Sequence, residues 1–246
     1  MSRLFPDRLV IGLAPAEVSA ARFHGFLKKE ILEQRSIACD PAFGAEPWQG
    51  ALAALDALET AGPSKVTVIL SNHFVRYAVI PWSDALGTPE EEQAYVRHHF
   101  VKIHGERAKS WLLRASEGAD GAPRLASAVD AGLIDALKKR FPKGEGGSLV
   151  SVQPQLMSRF NKWRGSIPSE GAWLVLADAD RACVALHAGG RWRAVHNGKG
   201  PWLELLERER YRVNESEVGV LPGLVLLGGA SQPDAPGGNW KFHVVT

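Results

Sequence analysis

Cysteine is scarce in this chain: 246 residues contain two, Cys39 and Cys183, far apart and each beside apolar neighbours. No C-x-x-C occurs, so zinc has no thiolate scaffold, and the expectation is two buried, unpaired thiols in a reduced, intracellular protein. Charge of one sign is lacking as well. The 29 Lys and Arg stand against 27 Asp and Glu, a net charge of +2, which gives no broad electrostatic reason for nucleic acid or an anionic membrane as partner. No apolar run approaches the ~18 to 20 residues that span a bilayer. The longest, from Val218 to Gly229, is interrupted by Pro222. The start, Met1-Ser2-Arg3-Leu4-Phe5-Pro6-Asp7-Arg8, is too polar for a signal peptide. Catalytic motifs are missing too: there is no G-x-x-x-x-G-K-[ST], no G-x-S-x-G and no H-E-x-x-H.

What is present is ordinary globular composition, 45% hydrophobic and 23% charged, in a chain long enough for two lobes with their own cores. Leu9 to Leu13 and Val18 to Phe23 flank Ala14-Pro15-Ala16-Glu17 and read as a hairpin, with Ser36 to Cys39 a third strand. Pro47 to Thr60 puts Trp48, Leu52, Leu55 and Leu58 on one helical face. Val66 to Leu70 is a strand buried on both faces, and Phe74 to Ile80 another, closed by Pro81-Trp82. Thr88-Pro89-Glu90-Glu91 is a capping box with proline at the first helical position, opening a helix to about Ile103 with Val96, Phe100 and Ile103 inward. Trp111 to Ala115 and Arg124 to Val129 pair around the turn Gly118 to Pro123. Asp130 caps a helix using Leu133, Leu137 and Phe141; Leu149 to Val152 is a strand and Pro154 to Trp163 a helix.

Gly165 to Gly171 marks the expected lobe boundary, giving a first lobe over 1–165, with a small insert at about 84–118, and a shortened second lobe over 171–246. The second lobe repeats the opening. Strands Ala172 to Ala177, Ala182 to His187 and Arg191 to His196 form a meander; Asn197 to Gly200 is a turn leading into a helix with Trp202, Leu203 and Leu206 inward and the charges Glu207, Arg208, Glu209 and Arg210 mostly outward. Leu224 to Leu227 is a buried strand ending in Gly228-Gly229, and Trp240 to Val245 is a last strand. A duplicated β-meander followed by helices on a mixed sheet is the plan of the α/β ribonuclease H-like and actin-like folds.

The run His73-Phe74-Val75-Arg76-Tyr77-Ala78-Val79-Ile80-Pro81-Trp82, the acidic helix start after it and Trp111-Leu112-Leu113-Arg114 resemble the inserted subdomain of actin-like assembly proteins of bacterial pili and type II secretion. These are the PilM type and the cytoplasmic part of secretion protein L. Leu227-Gly228-Gly229-Ala230 is similar to the adenosine loop of the actin-like superfamily. The resemblance implies a two-lobed fold and a cytoplasmic assembly role. The implied partner is the cytoplasmic segment of an inner-membrane pilus or secretion component, or the associated motor ATPase. No cofactor, nucleic acid or direct membrane insertion is expected, and any membrane location runs through the partner.

Where the family's ATPases carry an Asp-x-Gly turn in the first hairpin, this chain has Gly12-Leu13-Ala14-Pro15-Ala16, without a carboxylate and with a proline that removes an amide donor. The second turn, Asp178-Ala179-Asp180, places a carboxylate where glycine is wanted. The alternative is a nucleotide-binding ATPase of the superfamily that uses the Gly228-Gly229 loop with Asp178. A weaker one is a metal pair of Asp178 and Asp180, against a solvated turn. His98 and His99 diverge by about 100° on a helix and cannot share a metal; with His104 they read as solvated. Asn197-Gly198-Lys199-Gly200 suits a turn before a helix better than an anion site. Of eight tryptophans, Trp48, Trp163, Trp173 and Trp202 take core-like positions. Trp82 and Trp111 are the candidates for a partner contact, with packing inside the insert as the other reading.

Overall fold

The computed structural model describes residues 7–24, 30–58, 64–117, 121–142, 147–216, 221–232 and 240–245. The chain divides into two compact units, Met1–Val75 with Val129–Ser158, and Arg76–Ala128 with Arg159–Thr246.

The first unit is built on strands β1 (Asp7–Leu13), β2 (Glu17–His24), β3 (Glu30–Ala38), β4 (Ser64–Leu70) and β8 (Ser148–Pro154), in the order β3-β2-β1-β4-β8. The meander pairs antiparallel, whereas β4 lies parallel between β1 and β8. Val66, Val68 and Leu70 are buried on one face of this central strand, while Thr67 and Ile69 on the other face are half-buried, so the expected full burial of both faces is met on one. Helix α1 (Gln49–Ala57) buries Ala51, Ala54 and Leu55 and ends as Leu58 turns extended. Helix α3 (Ala131–Arg140) starts where the Asp130 carboxylate accepts the Gly132 amide at 2.7 Å, and buries Leu133 and Leu137.

The second unit repeats the plan with β9 (Ala172–Ala177), β10 (Arg181–Ala188), β11 (Arg191–Lys199), β12 (Leu224–Gly228) and β13 (Lys241–Val244), ordered β11-β10-β9-β12-β13. Again the meander is antiparallel and the last two pairings are parallel. The repetition reaches single hydrogen bonds. Ala14 N–H donates to Glu17 O in the first hairpin turn (3.1 Å) and Asp178 N–H to Arg181 O in the second (2.7 Å). Beyond each third strand, Cys39 N–H donates to Ala16 O and Gly200 N–H to Asp180 O. Helix α5 (Trp202–Ser216) packs Leu205, Leu206 and Val213 on one face of this sheet with Trp173, Val175, Val184 and Leu227.

The same unit holds a three-stranded sheet, β5 (Val75–Ile80), β7 (Arg124–Asp130) and β6 (Trp111–Ala115), in the order β5-β7-β6, with α2 (Pro89–His104) beside it. The capping box is formed: Glu91 N–H donates to Thr88 Oγ1, while Thr88 N–H and Gly87 N–H donate to the Glu91 carboxylate. Those backbone donors hold the Glu91 carboxyl below its ordinary value. Val96 and Phe100 meet Ile80, Leu113, Ala126 and Ala128 in a small core. Arg97 ties the helix to the entry of β6 by donating to the carbonyls of Ala108, Lys109 and Trp111.

Four expectations are corrected. The third strand begins at Glu30 rather than Ser36, with a register shift opposite Arg22 and Phe23. Asn197, Gly198 and Lys199 are strand residues paired with Cys183, Ala182 and Arg181, because cross-strand pairing outweighs the local turn preference of glycine. Ile103 is exposed although it shares a helical face with Val96 and Phe100, because it sits in the last turn of α2, past the small core that those two residues fill. Glu209 points inward at 3% exposure, held by ion partners described below. The turn residues 118–120 and the start of the long apolar run, 217–220, lie outside the described residues.

Candidate functional site

The carboxyl ends of adjacent parallel strands are where open α/β sheets present ligand groups. In the second unit β9 and β12 are such a pair, with Leu176 opposite Gly228. Asp178 follows β9 and Gly228-Gly229 closes β12, so the fold brings these three candidate residues to one sheet end.

Both glycines have packing reasons for lacking a side chain. Gly229 has φ +80°, and a Cβ there would stand 2.1 Å from the Ala177 carbonyl oxygen, a contact with backbone that cannot give way. A Cβ on Gly228 would stand 2.9 Å from the Trp163 indole and 3.3 Å from Leu176. Trp163 comes from helix α4 (Gln155–Trp163), is 3% exposed, and carries the Arg159 guanidinium 6.0 Å from its ring centre. One turn earlier, Phe160 packs on His187 (4.9 Å between ring centres) and Trp192 (4.6 Å). Burial holds the His187 imidazole below its ordinary pKa, so this aromatic seat favours the neutral ring. The chain thus fills the face of Gly228 with its own indole. Sequence reading placed Trp163 in the core without connecting it to Gly228.

The two hairpin turns differ from a phosphate cradle in different ways. In the first, Pro15 has no N–H, and the Ala14 amide is engaged by Glu17 O. In the second, the Asp178 amide is engaged by Arg181 O, and Asp180 adds a carboxylate. Cationic groups lie near that turn. Arg181 donates to the Asn197 carbonyl (3.5 Å) and to its side-chain oxygen (3.4 Å). Burial, then the charges of Arg181 and Arg107, lowers the Arg76 pKa. Among the described residues no group of three His, Cys, Asp or Glu is placed to hold a metal ion, so Asp178 and Asp180 have no third such ligand.

The two tryptophans proposed for a partner contact are not brought together. Trp82, 38% exposed, follows β5 and lies under the Arg124 guanidinium at 5.9 Å; Arg124 also pairs with Glu92 at 2.7 Å. Trp111 begins β6, which the Ser116 N–H to Leu125 O bond sets antiparallel to β7, so it lies toward the far end of that strand from Arg124. Its ring is half-buried between His104 (5.2 Å) and Arg107 (5.9 Å). His104 is therefore a packed ring, lowered in pKa by burial and then by Arg76 and Arg107. His99 packs on Tyr95. Strand β6 is at the edge of its sheet and turns Leu112 outward at 44% exposure.

Among the described residues no helix is long and apolar enough to cross a membrane. No family model matches this sequence, and no curated protein is similar to it in sequence. Solved structures do match. The cytoplasmic domain of EpsL, an inner-membrane component of the type II secretion system of Vibrio cholerae, aligns with a TM-score of 0.61 at 16% identity, covering 98% of this chain and 90% of that one. The PilM–PilN type IV pilus biogenesis complex aligns at 0.57 and 16% identity, over 93% of this chain and 82% of that chain. A Bacteroides thetaiotaomicron protein with an actin-like ATPase fold and unknown function aligns at 0.58 and 10% identity, over 93% and 84%. The chain has the actin-like fold.

Proposed function

We propose that this protein is a cytoplasmic assembly or scaffold component of a pilus or type II secretion-like machine, working by binding and not by hydrolysis. The observation that carries the reading is the fit of nearly the whole chain, insert included, to the EpsL cytoplasmic domain. The filled face of Gly228 and the proline and aspartate of the hairpin turns support a fold that has given up triphosphate chemistry. The partner in this reading is the cytoplasmic segment of an inner-membrane protein or a motor ATPase. The contact falls on the three-stranded sheet, at Trp82 and along the β6 edge that Trp111 opens. An edge strand accepts an extended peptide through backbone hydrogen bonds, with Leu112 offering an apolar side chain to it.

The test pairs two measurements. Membranes of the source cell are solubilised and passed over the immobilised protein and its Leu112→Pro and Trp82→Ala variants, with retained proteins identified by mass spectrometry. Retention of an inner-membrane assembly protein or motor ATPase by the parent and its loss with Leu112→Pro is expected; equal retention by all three removes the β6 edge. Calorimetry with Mg-ATP is expected to show no binding tighter than about 100 μM, a free energy of about 5.5 kcal/mol. Low-micromolar binding abolished by Asp178→Ala would replace this reading with the nucleotide-binding one.

A further inference from the structure

The second unit contains a charge cluster around one buried carboxylate that plays no part in the reading above. Glu209 of α5 is 4% exposed at its side chain. One carboxylate oxygen accepts from Arg212 Nε at 3.0 Å and Nη2 at 2.6 Å; the other lies 3.3 Å from His196 Nδ1 of β11. The second ring nitrogen of His196 is 3.0 Å from Arg208 Nη2. A guanidinium only donates, so Nε2 must carry the lone pair and Nδ1 the proton. Neutral His196 is then fully used, donating to the helix through Nδ1 and accepting from it through Nε2. Gly198 makes this possible: a Cβ there would stand 2.6 Å from His196 Nε2, so any larger residue would displace the ring.

We infer that His196 is an acid-labile latch, holding the middle of α5 to β11 while neutral and releasing Arg208 when its Nε2 takes a proton. A protonated Nε2 would point an N–H at another N–H across 3.0 Å, between two cations, and the pair must separate. The charged groups facing the ring are Arg208, Arg212 and Glu209 from α5 and Arg181 from β10. Burial foremost lowers the His196 pKa; Glu209 pulls the other way, Arg208, Arg212 and Arg181 each lower it further, and the net shift is downward. With the folded value below the unfolded one, the latch contributes fully above the ordinary histidine value of 6.5 and is lost as pH falls through the folded value. Apolar contacts of Leu205, Leu206 and Val213 keep the helix docked, so acid loosens α5 locally and does not unfold the unit.

Nitrogen-15 spectra of the full chain are expected to show the Nδ1–H tautomer at neutral pH and a His196 midpoint below 6.5. Amide exchange, corrected for intrinsic rate, is expected to show a several-fold loss of protection in 205–213 between about pH 7.5 and about pH 5.5. Helix α3 in the other unit serves as the unchanged control. His196→Gln should abolish that pH dependence. Arg208→Gln, which removes the facing cation, should raise the His196 midpoint. An Nε2–H tautomer, a midpoint at or above 6.5, or the same α5 pH dependence in His196→Gln overturns the latch. Should His196→Gln not fold, an unmoved midpoint in Arg208→Gln overturns it equally.

Discussion

The two five-stranded sheets share strand order, pairing sense and turn hydrogen bonds, yet one level of each is inverted. On the first sheet Gly12 of β1 stands opposite Ile69 of β4; on the second, Leu176 of β9 stands opposite Gly228 of β12. Each sheet keeps one glycine at this level, but on opposite strands, and the two glycines yield to different neighbours. A Cβ on Gly12 would meet the Ser19 hydroxyl at 2.6 Å, the movable end of a small side chain. A Cβ on Gly228 would meet a buried indole. The same fold has therefore been closed by hydroxyl-sized packing in one unit and by a tryptophan in the other. A glycine pair at a strand end is ambiguous by itself; what occupies the space the missing side chain leaves decides its role.

The hardest way to break this comparison is to remove the indole. Trp163→Ala deletes a 3%-exposed side chain beside a residue that has no side chain to fill the gap. A loss of about 3 to 5 kcal/mol in the unfolding free energy is expected from urea titration. A loss below about 1 kcal/mol would mean that the face of Gly228 is not filled by Trp163 in solution, and the packing account of that glycine would fall.

The matched pair of glycine substitutions is gentler and sharper. Gly228→Ala forces the Trp163 ring and Leu176 aside and is expected to cost about 1 to 3 kcal/mol. Gly12→Ala asks only for rotation of the Ser19 side chain, and the lower freedom of alanine in the unfolded chain offsets about 0.4 to 1 kcal/mol. Thermal unfolding of both should rank Gly228→Ala clearly the worse. Equal effects would show that the two levels are packed alike.

Much of this was legible in the sequence because local chemistry and tertiary fate agree. Thr88 and Glu91 specify a cap that needs no distant partner, and the apolar run from Val66 to Leu70 admits little except a buried central strand. The repeated meander followed from turn residues in the right places. What escaped depended on distant residues. Gly198 reads as a turn residue until β10 pairs with it, and Glu209 reads as solvated until His196 and Arg212 close on it. Trp82 and Trp111 both read as partner contacts because the sequence gives no sign that Arg124 stacks on the first or that His104 and Arg107 flank the second. The contact of Trp163 with Gly228 spans more than sixty positions, and no local pattern announces it.

The smallest effect is chemical, and it compares the sheets through their single cysteines. Both thiols are unpaired. Cys39 is half-buried just past β3, its pKa raised by burial and then by the Glu17 carboxylate. Cys183 lies inside β10 at 0% exposure, between Ala182 and Val184, and burial pushes its thiol far above the ordinary range. The thiolate is the reactive form, so two barriers act on Cys183, access and ionisation, where Cys39 meets a weaker form of each. Maleimide labelling of the native protein should modify Cys39 first, by at least about a hundredfold in rate, because Cys183 must wait for an opening of its sheet. Cys39 labelling should still be rising past pH 9.0, its ordinary value, since its thiol ionises later than a free one. Comparable native rates at the two sites would show that the second sheet opens as readily as an exposed strand end, and the tighter packing assigned to it would be wrong.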